Sequence, residues 1–143
     1  MAEVEVSRAD SGSERSELTA RDRGRSVRAA LLAWMIPGAG HAYVGRRVLG
    51  VLFCLIVFAA LAIGLGLDGN LHRITPDRPL SILATLGSMG VGVAYFLLRY
   101  LVGYTGDIVA SGFEYGSAFI LTAGLMNLLL VLDAWDIALG RKE

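Results

Sequence analysis

The sequence predicts an all-α, polytopic helical membrane protein with four hydrophobic helical segments behind a disordered, charged N-terminal tail. Three observations predict it. First, 55% of the 143 residues are hydrophobic and only 18% are charged, against roughly 25% charged in an ordinary soluble domain, and the mean hydropathy is +0.58. Second, the charges are segregated: residues 1–28 hold six of the 13 Lys+Arg and six of the 13 Asp+Glu. A soluble domain of this size has too much surface for its volume to bury the apolar remainder. Third, that remainder falls into runs close to the roughly 20 residues that cross a bilayer as a helix.

The first element is the tail, residues 1–26, which mixes charge with Ser and Arg and has no aromatic residue. It cannot build a core and is expected to be disordered. Its last stretch, "RDRGRSVR", carries four arginines against one aspartate, which suits attraction to an anionic cytoplasmic leaflet. The helical membrane domain then occupies residues 27–142.

The leading segment, about 28–45, contains "WMIPGAGHAYVGRR". Read as a span it is a helix kinked at Pro37; read otherwise it is a half-helix that dips in and returns, or a cleaved signal peptide. Pro37 removes a backbone donor, and Gly38 and Gly40 loosen the turn beside it. Tyr43 suits an interface, ring in the apolar layer and hydroxyl wet. Gly45 precedes Arg46 and Arg47, which stop the chain from sliding into lipid. His41 is expected to bond a carbonyl freed by Pro37, and as a lone ligand type it makes no metal site.

The second segment, 48–67, is a run of 20 residues without a charge, closed by Asp68-Gly69-Asn70. The third, 80–102, is interrupted only by Arg99, which is expected to snorkel beside Tyr100 and Tyr104. Asp77 and Pro79 suit its start. The fourth, 117–139, carries Asn127 in its interior and Asp133 and Asp136 near its end. Asn127 is expected to bond a neighbouring helix. The two acids lie on one side of the helix, near a C-terminus whose dipole disfavours them, so they anchor the helix end and need compensation. Ala84, Ser88 and Gly92, and also Gly116 and Gly124, form small-residue stripes that predict a compact bundle or a dimer face.

If the last three segments all cross, Arg46, Arg47, Arg99, Asp107 and Glu114 share one face. Asp68, Arg73, Asp77, Arg78, Asp133, Asp136, Arg141 and Lys142 then share the other, with Arg73, Arg78 or, if the leading segment spans, Arg28 as possible partners of Asp133 and Asp136. A spanning first segment adds the tail to the second face, and the positive-inside rule makes both termini cytoplasmic.

The segment "GAGHAYVGRR" resembles the first-span signature of the TM-two domain family, small modules with two membrane spans, at Gly38, Gly40, His41, Tyr43, Gly45 and Arg46. "LMNLLLVLDAWDIALGRK" is similar to the last span of small uncharacterised bacterial membrane proteins with the same front motif. The chain departs from the TM-two pattern in having no arginine before the aromatic residue and no aspartate in residues 48–67. The resemblance implies a bacterial inner-membrane, multi-pass protein with a cytoplasmic N-terminus, and no activity travels with it.

The remaining signals exclude more than they assign. A net charge of zero gives nucleic acid no purchase, and the single cysteine, Cys54, forms neither an intramolecular disulfide nor a multi-cysteine metal site. "VASG" at 109–112 resembles the nucleophile motif of rhomboid proteases only superficially, lacking the first glycine and any later histidine. The expectation is a non-enzymatic helix-packing or partner-binding module without cofactor, whose partners are the bilayer and a second copy or another membrane protein. The alternative is a small oligomeric transporter or channel subunit.

Overall fold

A computed structural model describes residues 20–74 and 79–141. The described elements are all helical. Helix α1 covers residues 20–35; α2 is Ala39–Tyr43, α3 is Arg47–Gly66, α4 is Pro79–Met89, α5 is Val93–Phe96 with a π-helical turn at Leu97–Leu101, and α6 is Phe113–Ala138. Most of the tail, and with it Asp77, Arg78 and Lys142, lies outside the described residues. Residues 20–26, expected in the disordered tail, instead form the first turns of α1.

Two helices, α3 and α6, are long and apolar enough to cross a membrane. They run antiparallel. Gly64 near the end of α3 packs on Gly116 and Ile120 near the start of α6, whereas His41, just before α3, reaches Asp133 near the end of α6. The molecule thus has a His41 end and a Tyr104 end.

Neither of the other two apolar segments is a single straight helix of that length. Pro37 disfavours helix at Ile36 and stops α1, and Gly38 takes φ 82°. Helix α2 then folds back along α1: a Cβ on Gly40 would stand 2.5 Å from the carbonyl of Ala29 and 2.6 Å from the Ala33 methyl. In a continuous helix, residues 29 and 40 would be roughly 16 Å apart. The leading segment is therefore the half-helix that returns, and not a kinked span.

The segment 80–102 behaves alike. Between Pro79–Met89 and Val93–Leu101 the axis bends by 113°. Ser81 at one end of this hairpin and Thr105 and Gly106 at the other line the same cavity. The Tyr104 hydroxyl donates to Leu65 O (3.2 Å) and Asp107 N to Asp68 O (3.1 Å), so both arms open at the Tyr104 end. Eleven residues of α4 rise roughly 16 Å, about half of a hydrocarbon core. The four-span expectation gives way to two long helices and two helical hairpins.

The hairpins enter from opposite ends and meet beside the middle of α6. Gly90 packs on Gly124, Gly87 on Leu121, and Gly92 on the carbonyl of Trp34. The small-residue stripes thus serve contacts inside one chain. Val57, Leu61, Leu71, Val91, Tyr95, Ile120, Ala123 and Leu130 form the apolar core around this junction. The outward faces of α3 and α6 stay apolar and exposed, as at Val48, Leu55, Leu129 and Leu132.

Candidate functional site

The polar groups of the interior gather along α6 at two levels. At the junction of the hairpins, the Asn127 amide nitrogen donates to Gly90 O (2.8 Å) and to Trp34 O (3.4 Å). Both acceptors are carbonyls at helix ends, which have lost their intrahelical donors. Asn127 is fully buried, where an unbonded carbonyl is costly. One side chain therefore ties both hairpin tips to α6. The expected interhelical bond is present, with backbone carbonyls as its acceptors.

About two turns further along α6, His41 Nε2 lies 3.0 Å from Asp133 Oδ2. A carboxylate only accepts, so the imidazole donates from Nε2. His41 is fully buried, whereas a third of the Asp133 side chain is accessible. The Phe53 ring packs edge-on to the imidazole, centroids 5.0 Å apart. His41 thus meets a side chain, where a carbonyl freed by Pro37 was expected.

The expected facing of charges was wrong at its root. It let three segments cross and so put Asp133 opposite Arg46. With the third segment a hairpin, the end of α6 returns to the start of α3, and His41 is a partner of Asp133; Arg78, one of the expected partners, lies outside the described residues. Asp136 turns outward to Arg141 at 3.6 Å, an exposed pair worth roughly 0–1 kcal/mol.

The rest of the opening motif builds the corner that holds His41. Arg46 N donates to His41 O (2.8 Å) and Gly45 N to Ala42 O (3.2 Å), with Gly45 at φ 98°. This is the Schellman arrangement, in which a left-handed residue ends a helix and satisfies its last carbonyls. Glycine adopts that φ without steric cost. Tyr43 is 42% exposed, in keeping with its expected place at the rim.

Two buried polar atoms have no partner among the described residues: His41 Nδ1 and Asn127 Oδ1. A third polar group, at the Tyr104 end, was not expected from the sequence. The Tyr95 hydroxyl donates to His72 O (2.9 Å), and Ser88 Oγ lies 3.3 Å from His72 Nδ1. Burial lowers the pKa of the His72 imidazole below its ordinary value. Only the mid-run pair Gly90 and Gly92 hinted that residues 80–102 turn back and bring Ser88 and Tyr95 to His72. Among the described residues, no three His, Cys, Asp or Glu side chains gather as a metal site would require.

No curated protein and no solved structure matches the chain. The family match gives no support to the TM-two resemblance of the opening motif. It does agree with an uncharacterised group: residues 28–143, which hold both long helices, the second hairpin and the first hairpin from Arg28 onward, match the model of a family of unknown function, DUF6677, and the chain belongs to that family.

Proposed function

We propose that this chain is a multi-pass protein of the bacterial inner membrane that acts without catalysis, as a rigid helix-packing module presented to a membrane partner. The observation that carries this reading is the closure of both hairpins on α6 by Asn127, with backbone-close glycine contacts on either side. The buried polar side chains serve mainly to lock helices together. Arg28, Arg46, Arg47 and Arg141 belong to the His41 end, against Arg73 and Arg99 at the other. The positive-inside rule then favours a cytoplasmic His41 end, with both termini inside. Crosslinking in membranes followed by purification in mild detergent tests the module: a second copy or another membrane protein should come away with it. A strictly lone monomer overturns the reading.

A second reading, an oligomeric transporter or channel subunit, has its own support. Half-helix, return arm and long helix occur twice in opposite senses, an arrangement that discontinuous-helix transporters share. His41 Nδ1 and Asn127 Oδ1 are the buried polar atoms such a path would use. Flux of protons or small ions into liposomes carrying the protein, abolished in Asp133→Asn, would favour this reading over the first.

A further inference from the structure

The two hairpins bring the same kind of helix end to one place. Helix α1 enters from the His41 end and α4 from the Tyr104 end, so each points its C-terminus at the junction beside Asn127. A helix C-terminus carries roughly half a negative charge, so two of them together amount to about one. The return arms α2 and α5 start at the same place, but with five and four residues they align too few peptides to cancel it.

The oxygens at the junction can be named. Pro37 has no N–H to give, which leaves the end of α1 short of donors. Trp34 O and Met35 O both lie against Gly92 of the second tip, where an added Cβ would meet the two of them. Trp34 O accepts a long bond from the Asn127 nitrogen (3.4 Å) and Gly90 O a shorter one (2.8 Å). Each carbonyl keeps a second lone pair. Asn127 Oδ1, on the same amide as that nitrogen, is fully buried and has no partner among the described residues. A buried acceptor left alone is costly, and here it stands between two negative helix ends.

We propose that this junction binds an alkali-metal cation, with Asn127 Oδ1, Trp34 O and Gly90 O among its ligands. Carbonyls of broken helices and half-helix C-termini are the groups that discontinuous-helix transporters offer to a coupling ion. All three oxygens are neutral, which suits a singly charged ion, whereas calcium and magnesium draw on carboxylates. Amide oxygens are acceptors and not bases near neutral pH, so the ion is a metal cation and not a proton. The inference rests on the second reading above, whose ion it names, yet the two can fail separately.

The full chain, purified in a neutral detergent and choline chloride, is assayed for bound radioactive sodium, with potassium and choline as competitors at constant ionic strength. Sodium should bind saturably, and potassium should compete where choline does not. Asn127→Asp keeps the oxygen and adds charge, and should tighten binding about tenfold, the scale of one charge-assisted contact. Asn127→Leu should abolish binding, with melting curves to show that each variant keeps its fold; where Asn127→Leu does not fold, Asn127→Asp decides. No saturable binding by the unaltered chain, equal competition by choline, or unchanged binding by a folded Asn127→Asp overturns the site. Sodium flux into liposomes is read apart from this: binding without flux keeps the site and removes the transport reading, and flux without binding removes the site alone.

Discussion

The two hairpins perform the same manoeuvre with different chemistry. Each enters about half-way, breaks, gives a carbonyl to Asn127 and leaves by the end it entered. The first breaks at Pro37-Gly38 and is held a second time by the His41–Asp133 bond. The second breaks at Gly90–Gly92 with no proline, and its return arm is held by the Tyr95 hydroxyl just after the break and by the Tyr104 hydroxyl near its base. Proline inside a helical run forces a break, because it removes a donor and blocks the preceding turn. Glycine only permits one, so the second break depends on what surrounds it. The second hairpin should therefore be the more sensitive at its tip, and the first the more sensitive at its side-chain bond.

The largest effect is expected at the second tip. Gly92 has φ 78°, with the carbonyl of Trp34 directly against its Cα. Gly92→Val adds the strain of a left-handed β-branched residue, about 1–3 kcal/mol, to a clash with backbone that cannot move aside. The protein should lose its cooperative melt in detergent. Pro37→Ala, by contrast, leaves Gly38 free to turn and should lower the melting temperature only slightly. Comparable damage from both would erase the distinction between the two breaks.

Asn127→Leu comes next, because it strips two buried carbonyls of their donor at once. A cost of about 2 kcal/mol is expected, between the penalty for a buried unsatisfied group and the smaller values typical of membrane interiors. Hydrogen exchange should rise at both tips together, near residues 35–36 and 90–92. A rise at one tip alone would mean that the hairpins do not share Asn127.

The His41–Asp133 bond should affect the first hairpin only. His41→Leu or Asp133→Asn should cost about 1 kcal/mol each, and the double variant should cost little more than either, because the two side chains form one contact. Exchange should rise in α2 and stay unchanged at residues 90–92. Fully additive costs would show that the two residues act separately.

The same contrast explains which parts of the architecture the sequence disclosed. Residues 48–67 announce α3 because nothing polar interrupts 20 residues. The opening motif also announces a corner, because Pro37, Gly38, Gly45 and Arg46 each restrict the backbone or its depth. Residues 80–102 carry no comparable punctuation. Hydropathy is blind to direction, so an apolar run that goes half-way and returns looks like one that crosses. That single error reversed the facing of Asp133 and hid its pairing with His41, although both residues stood out individually. The cavity of about 280 Å³ that Arg73 and Arg99 both line was hidden for the same reason, since a crossing third segment would have put those arginines on opposite faces.

The smallest effect is a pH dependence at His72. His72 lies in the loop after α3, with Ser88 of α4 at its Nδ1, Tyr95 of α5 donating to its carbonyl, and Arg73 beside it in sequence. Burial disfavours the imidazolium, so its folded pKa lies below the ordinary 6.5. As pH falls through 6.5, the unfolded chain takes up a proton that the folded chain resists, and stability declines until the folded pKa is passed. The contribution is full above 6.5 and lost in the acidic range. Melting in detergent should therefore fall modestly between pH 7 and pH 5, and His72→Gln should flatten that slope. A slope that steepens in His72→Gln would mean that the imidazolium is the form the fold prefers, and that burial does not govern His72.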